Sequence, residues 1–245
     1  MAQFKTFDAQ VLRSVPLSEF TKHLELKVKG VTHFGFVPGQ WLSVKAATPE
    51  GEEITRPYSI ASPPSENGHV AFCLNRVHDG FMSNHLCSLE AGAEVTFQGP
   101  FGNFILHPPP RDTVFIATGT GIAPFRSMLH WLLDDDDLTK TGRHQGRQLW
   151  LLFGARREQD IYYREEFEHL AATHANFHFL PTLSRGAAEW TGLRGYVQEH
   201  LLEIVGTRTG MHAYICGLAK MVRANRELLK SLGWDRTSIR YERYD

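Results

Sequence analysis

Thr113-Val114-Phe115-Ile116-Ala117-Thr118-Gly119-Thr120-Gly121-Ile122-Ala123-Pro124 is the stretch whose reading decides the fold of this chain. Thr113–Ala117 is a short apolar, partly β-branched run of the kind a buried strand shows. It passes directly into a turn of small residues, and Pro124 stands where a helix would begin. Each part has a physical reason. Glycine lets the backbone approach a ligand closely. Proline is tolerated in the first helical turn, where its missing N–H costs nothing. Free N–H groups and the positive end of a helix then suit a diphosphate. The spacing differs from the GxGxxG fingerprint, so Thr118, Gly119, Thr120, Gly121 and Pro124 take their meaning from their surroundings.

C-terminal to this stretch, strands and helices alternate. Strands are predicted at Gln148–Gly154, Asn176–Leu183, Ala213–Cys216 and Ile239–Tyr244. Helices are predicted from about Pro124 to Leu133, around Arg164–Ala172 and Gly195–Leu202, and through Ala219–Leu232. That alternation implies a parallel sheet with helices on both faces. N-terminal to it, Val11–Val15, Thr21–Val28, Gln40–Lys45, Val70–Val77 and Glu94–Gln98 read as short strands, with one brief helix at Ser83–Leu89. Such a density of short strands suggests an antiparallel barrel or sandwich. Pro108-Pro109-Pro110 can continue neither a helix nor a central strand. It marks the junction of two domains, 1–108 and 109–245.

Composition narrows the function classes. The 245 residues are 42% hydrophobic with a formal net charge of −1, so no global field points to nucleic acid. No apolar run approaches the roughly 20 residues a membrane helix needs. The opening MAQFKTFDAQ lacks a basic-then-apolar signal pattern, and a cytoplasmic location is expected. Cys73, Cys87 and Cys216 are odd in number and widely spaced, which fits reduced thiols and not an iron–sulfur site. His169, His174 and His178 come without HExxH or clustered carboxylates, so no metal is expected. The Asp134–Asp137 run reads as a solvated helix end or loop.

A second motif, Arg56-Pro57-Tyr58-Ser59-Ile60-Ala61-Ser62, lies in the strand-rich half. On its own it is compatible with a strand with a polar edge, and Pro57 makes it a poor central strand. Arg56 offers a fork of donors suited to phosphate, and Tyr58 a flat face with a polar tip. With GTGIAPFRS and the Cys216-Gly217 pair after a strand, this order of motifs resembles the plant-type ferredoxin–NADP⁺ reductase family. The likeness runs from about Pro38 to the C-terminus. It takes in Val37-Pro38-Gly39-Gln40, Gly99-Pro100-Phe101-Gly102, Phe153-Gly154, Tyr163-Arg164-Glu165-Glu166-Phe167 and Ser184-Arg185.

The resemblance implies an antiparallel β-barrel domain that binds FAD, followed by a Rossmann-like α/β domain with a parallel sheet that binds NADP(H). It implies that Arg56, Pro57, Tyr58 and Ser59 meet the FAD phosphate, the flavin face and its N5 edge. Gly80, Met82 and Ser83, at a helix start, resemble the second FAD-phosphate contact; the adenine-stacking loop of plastid members, between Val77 and Gly80, is missing. Ser59, Cys216 and Glu242 match the family's catalytic set, and Tyr244 the C-terminal aromatic that covers the flavin. One further residue, Asp245, follows here. Ser184, Arg185, Arg194 and Tyr196 match the group that selects the 2′-phosphate of NADPH, with arginine at 194 in place of lysine.

The function so implied is hydride transfer between NADPH and FAD, with single electrons passing to or from a ferredoxin or flavodoxin, by a monomer. Two alternatives stand beside it: the NAD(P)H-dependent reductase component of an oxygenase system, and a non-catalytic flavin-binding subunit.

Overall fold

The computed structural model describes residues 4–133 and 143–244; Asp134–Asp137 and Asp245 lie outside the described residues. The chain divides into two compact units, Met1–Leu106 with Ala123–Trp131, and His107–Ile122 with Leu132–Asp245. Each is built on its own six-stranded sheet.

The first unit contains strands β1 (Thr6–Pro16), β2 (Thr21–Val28), β3 (Trp41–Ala47), β4 (Glu53–Ser59), β5 (His69–Asn75) and β6 (Glu94–Phe101). Helix α1 (Phe81–Ser88) lies between β5 and β6. The order is β4-β3-β6-β1-β2-β5, antiparallel throughout. Beyond β4 the chain turns onto β5: Ile60 bridges Phe72, and the Ala61 N–H donates to the Ala71 carbonyl at 2.7 Å. The sheet thereby closes on itself as a barrel. Alternate residues point inward, and Leu24, Leu26, Leu42, Val44, Phe72 and Phe97 are fully buried in its core. Burying one such side chain contributes about 1.5–3 kcal/mol. The Arg56–Ser59 motif, compatible with a polar-edged strand, forms most of β4. That strand is an end of the hydrogen-bonded order, where proline's missing N–H is tolerated.

The second unit holds β7 (Thr113–Thr118), β8 (Leu149–Ala155), β9 (Phe177–Leu183), β10 (Leu193–Arg194), β11 (His212–Leu218) and β12 (Ile239–Tyr244). The order is β10-β9-β8-β7-β11-β12, all parallel. The two-residue β10 has no sequence signal of its own; it exists because it meets Thr182 and Leu183. Helices α3 (Arg164–Thr173), α4 (Val197–Val205) and α5 (Ala219–Ser231) cover the sheet. Val114, Ile116, Leu152 and Ile215 face α4 and α5, meeting Val197, Leu201, Val222 and Leu229. Their neighbours in the strands face the other way, where Phe167 of α3 lies 5.4 Å from Phe179. Helix α2 (Ala123–Leu133) follows β7, and its first nine residues group with the first unit. Phe125 packs 5.9 Å from Phe104 there, and Arg126 donates to the Ala61 carbonyl at 2.9 Å. No helix among the described residues is long and apolar enough to cross a membrane.

His212 begins β11 and is buried. Its ring stands edge-on to Tyr214, whose hydroxyl accepts the His107 N–H at 2.9 Å. Burial, with the charges of Arg111, Arg240 and His107, pulls the His212 pKa down to about 4. The unfolded chain takes up this proton near pH ~6.5. Stability is therefore complete above that pH and falls as the pH drops toward 4, because the unfolded state binds the proton first. A His212→Phe variant is expected to lose a few degrees less of its Tm between pH 7 and pH 4.5 than the parent does. Calorimetry across that range checks this, and parallel curves would remove His212 as the cause.

Candidate active site

The barrel offers a polar face along β4. Arg56 and Pro57 are exposed, Tyr58 is half-buried and Ser59 is buried. Arg56 uses one Nη1 bond on the Thr55 carbonyl at 2.8 Å, which leaves the rest of its fork available to an anion. The Tyr58 ring lies 5.6 Å from Phe72, and burial pushes its hydroxyl up to about 12, so it remains a neutral donor at ordinary pH. Across from these residues, Gly80 precedes α1. A Cβ at Gly80 would lie 2.8 Å from the Ser83 hydroxyl and 3.0 Å from the Val77 Cβ, so glycine keeps this helix entry narrow.

The first hydrogen bond of α1 runs from Asn84 N–H to the Gly80 carbonyl. The N–H groups of Phe81, Met82 and Ser83 come before it and open at the helix start, as an anion requires. The side chains are another matter. Met82 is buried in the barrel core, and the Ser83 hydroxyl accepts from Val77 N–H and donates to the Gly80 carbonyl. Met82 and Ser83 can therefore serve a ligand through their backbones. Their side chains build the turn.

The glycine-rich turn is a 3-10 segment, Gly119–Ile122, between β7 and α2. Thr118, Gly119 and Thr120 are half-exposed, whereas Gly121 and Pro124 are buried. A Cβ on Gly121 would lie 2.3 Å from the Cys216 carbonyl oxygen and 2.8 Å from the Gly217 Cα. Gly217 has φ +139°, and a Cβ there would lie 2.4 Å from the Thr118 hydroxyl. The turn after β7 and the end of β11 thus touch backbone to backbone. Gly154 completes the arrangement: its Cβ would lie 3.0 Å from Thr118 Cγ2 and 2.8 Å from Val197.

That contact places Cys216 between Ala117 on one side and Glu242 on the other, in register. Tyr244 stands in register with Leu218, and its side chain is hydrogen-bonded to the Cys216 thiol. Cys216 is fully buried. Burial first, then the Glu242 charge, hold its pKa well above the ordinary value, although the Tyr244 bond opposes them. The group is a neutral thiol, small and polarizable, not a nucleophile. Cys216, Glu242 and Tyr244, far apart in sequence, therefore form one patch at the C-terminal ends of parallel strands, where such sheets bind ligands. Ser59 belongs to the barrel unit and sits opposite Trp41 in its ladder.

The end of β9 carries the cationic group. Ser184 and Arg185 are exposed, and Arg185 N–H donates to the Arg156 carbonyl at 2.9 Å. Arg156, exposed at the end of β8, was not singled out by its sequence context; the strand pairing alone brings it beside Arg185. Tyr196 is 62% exposed and offers a flat ring before α4. Arg194 differs from its neighbours, since its guanidinium is bonded to carbonyls of its own loop. Several motif strings prove architectural. A Cβ on Gly39 would lie 1.9 Å from the Phe104 carbonyl oxygen. Arg164 pairs with Glu158 and Glu168 at 2.5 and 2.7 Å. Among the described residues no cluster of His, Cys, Asp or Glu could hold a metal ion.

Residues 8–105 match the model of an oxidoreductase FAD-binding domain, and residues 115–227 that of an oxidoreductase NAD-binding domain. Ferredoxin–NADP reductase B of Sorangium cellulosum is 40% identical over 253 residues, covering both chains completely. Phenol hydroxylase P5 protein of Acinetobacter pittii is 32% identical over 221 residues, 88% of this chain and 59% of its own. The cytochrome P450 reductase of Amycolatopsis superposes with a TM-score of 0.85 at 25% identity, over 99% of this chain and 71% of that one.

The close approach at Gly121 makes a direct prediction. Gly121→Ala is expected to destabilise the protein by about 1–3 kcal/mol, since no flexible side chain can give way. Urea unfolding measures it, and a change within error would mean the two backbones can separate freely.

Proposed function

This chain belongs to the ferredoxin–NADP⁺ reductase family of flavoprotein oxidoreductases, and from that premise we propose that it moves electrons between NADPH and a ferredoxin or flavodoxin. It is an FAD- and NAD(P)H-dependent enzyme, which sets aside the non-catalytic reading. When bound, FAD supplies the exchange between two-electron and one-electron chemistry, and the protein supplies position and electrostatics. Residues 1–108 carry the flavin and residues 109–245 the nicotinamide nucleotide. The enzyme works as a cytoplasmic monomer.

On the barrel, Arg56 and the N–H groups of Phe81, Met82 and Ser83 hold the diphosphate, with Gly80 letting it approach the helix start. Pro57 and Tyr58 lie along the ring face, and Ser59 donates to its N5 edge. On the sheet, Thr118, Gly119, Thr120 and Gly121 shape the nucleotide turn, and Pro124 starts the helix behind it. Cys216 gives the nicotinamide a small neutral wall. Glu242 relays a proton, and Tyr244 occupies the nicotinamide position until NADPH displaces it. Ser184, Arg185, Arg194 and Tyr196, with Arg156, receive the 2′-phosphate end. That phosphate carries roughly −1.5 to −2 charges by analogy with other phosphoryl groups.

The observation that carries this reading is the backbone contact of Gly121 with Cys216 and Gly217. It supports a shared site for the nucleotide turn and the Cys216–Glu242–Tyr244 patch. A second reading, the reductase of an oxygenase system, is favoured by the likeness to the phenol hydroxylase P5 protein and differs only in the acceptor.

The test is purification with FAD, then NADPH-driven reduction of ferricyanide, then of cytochrome c through added ferredoxin or flavodoxin. Either carrier is expected to raise cytochrome c reduction about tenfold or more over its absence. Ferricyanide reduction with no coupling to either carrier would turn the choice to the oxygenase reading. For the cofactor, Arg185→Glu is expected to raise the KM for NADPH about 10–100-fold, the worth of a charge-assisted bond, and that for NADH far less. Equal shifts for both would end the assignment of Arg185.

A further inference from the structure

A second group of side chains gathers around Tyr214, at the other end of β11 from Cys216. His212 and Cys216 are four residues apart on that strand, a distance of about 13 Å. The group is therefore separate from the nucleotide turn. The His212 N–H donates to the Asp112 carbonyl at 2.9 Å, which brings Arg111 alongside. Arg240 of β12 stands in register with Tyr214, so its side chain shares a face of the sheet with those of Tyr214 and His212. The His107 N–H donates to the Tyr214 hydroxyl at 2.9 Å and holds the residue before the proline run against the same ring.

Cation-forming side chains thus converge here, and no carboxylate is bonded to any of them. Arg111 is exposed and Arg240 half-buried; among the described residues neither guanidinium donates a hydrogen bond or joins an ion pair. His212 is 8% exposed, and its ring has no hydrogen-bond partner among the described residues. His107 Nε2 is buried and also without a partner. The nearby carboxylates are engaged elsewhere. Asp112 accepts the Gln148 N–H at 3.0 Å, and Asp235 accepts both the N–H and the hydroxyl of Thr237 at 2.6 Å. Both imidazoles are pressed toward the neutral form. His212 is pulled down to about 4 by burial and then by Arg111, Arg240 and His107, and His107 is lowered by burial and then by Arg240. Unbonded buried ring nitrogens and unopposed positive charge are both costly. One partner relieves both: an anion with several acceptor oxygens.

We propose that Arg111, Arg240 and His212 form a binding site for a phosphate group, free or carried on a small metabolite, at the N-terminal end of the parallel sheet. Each guanidinium supplies a planar fork of donors that matches an oxyanion, and the imidazole adds a further N–H. Donors arriving from β11, from β12 and from the segment before β7 suit a tetrahedral anion better than a flat carboxylate. The occupant clamps the segment around Arg111 to β11 and β12. It takes no part at the hydride-transfer end of the sheet.

Isothermal calorimetry tests this on the FAD-loaded enzyme saturated with NADP⁺, so that both nucleotide sites are filled. The probes are inorganic phosphate, glycerol 3-phosphate and sulfate. Binding with a Kd on the order of 1 mM is expected. Tighter binding of glycerol 3-phosphate than of phosphate makes a phosphorylated metabolite the ligand, and the reverse makes it the free ion. Sulfate keeps both its charges from pH 7.5 to pH 5.5, so any change in its affinity belongs to the protein. An anion beside His212 favours the protonated ring, so the site takes up a proton on binding and tightens as the pH falls. Sulfate affinity is expected to rise about tenfold over that range, and H212F to abolish the rise. R111Q/R240Q is expected to lose binding and R185A to keep it, each variant first shown by thermal melting to be folded. Because Arg111 is exposed, R111Q alone keeps the test open should the double variant not fold; it is expected to weaken binding about fivefold or more. Failure of all three probes to bind below about 20 mM, or binding that loss of the arginines leaves intact, would overturn the proposal. A sulfate affinity independent of pH would remove His212 from the site and overturn it equally.

Discussion

Between the turn at Thr118–Gly121 and the end of β11 there is no room for one more carbon atom. The missing Cβ of Gly121 would meet backbone, 2.3 Å from one carbonyl oxygen, and the missing Cβ of Gly217 would meet Thr118 in return. Side chains can rotate away from a clash, but two strands locked in a parallel ladder cannot. The position of Cys216 follows from this, and those of Glu242 and Tyr244 follow from Cys216 through the register of β11 with β12. Glycine in this turn thus has a second duty beside the approach of a ligand: it brings the parts of the site together.

The same economy runs through the barrel. Arg126, from the motif that follows the glycine turn, donates to the carbonyl of Ala61, from the motif that forms β4. Two sequence signatures separated by a long stretch of chain are therefore one hydrogen-bonded assembly. The Val37–Gln40 turn behaves likewise, with Gly39 pressed against the Phe104 carbonyl. Motifs that mark a family include residues that touch cofactor and residues that make such contact possible, and a sequence writes both in the same letters.

Electrostatics separates the two kinds. Arg56 and Arg185 are exposed on polar faces, with donors to spare for an anion. Arg164 is matched by two glutamates, while Arg194, itself exposed, lends only part of its fork to carbonyls of its own loop. An arginine already paired with two carboxylates gains little from a phosphate and is better understood as part of the frame. Cys216 follows a related logic: burial and a neighbouring carboxylate keep its thiol neutral, which suits a wall beside a ring more than a reactive centre.

The sequence alone determined the succession of a strand-rich half and a strand–helix half, because hydrophobic period and glycine–proline punctuation are local properties. It also determined the nucleotide turn and the polar motif at Arg56–Ser59, whose residue types carry their chemistry with them. It left β4 undecided between a polar-edged strand and a loop, and β10 unmarked. The first is a strand despite Pro57, because it lies at the end of the ladder, and the second exists only through its partner β9. Tertiary structure decided that the barrel closes through Ile60 and Phe72, that Arg156 stands beside Arg185, and that Arg194 meets carbonyls of its own loop. Each of these depends on which backbone groups from distant segments meet, and no periodicity along one segment encodes that meeting.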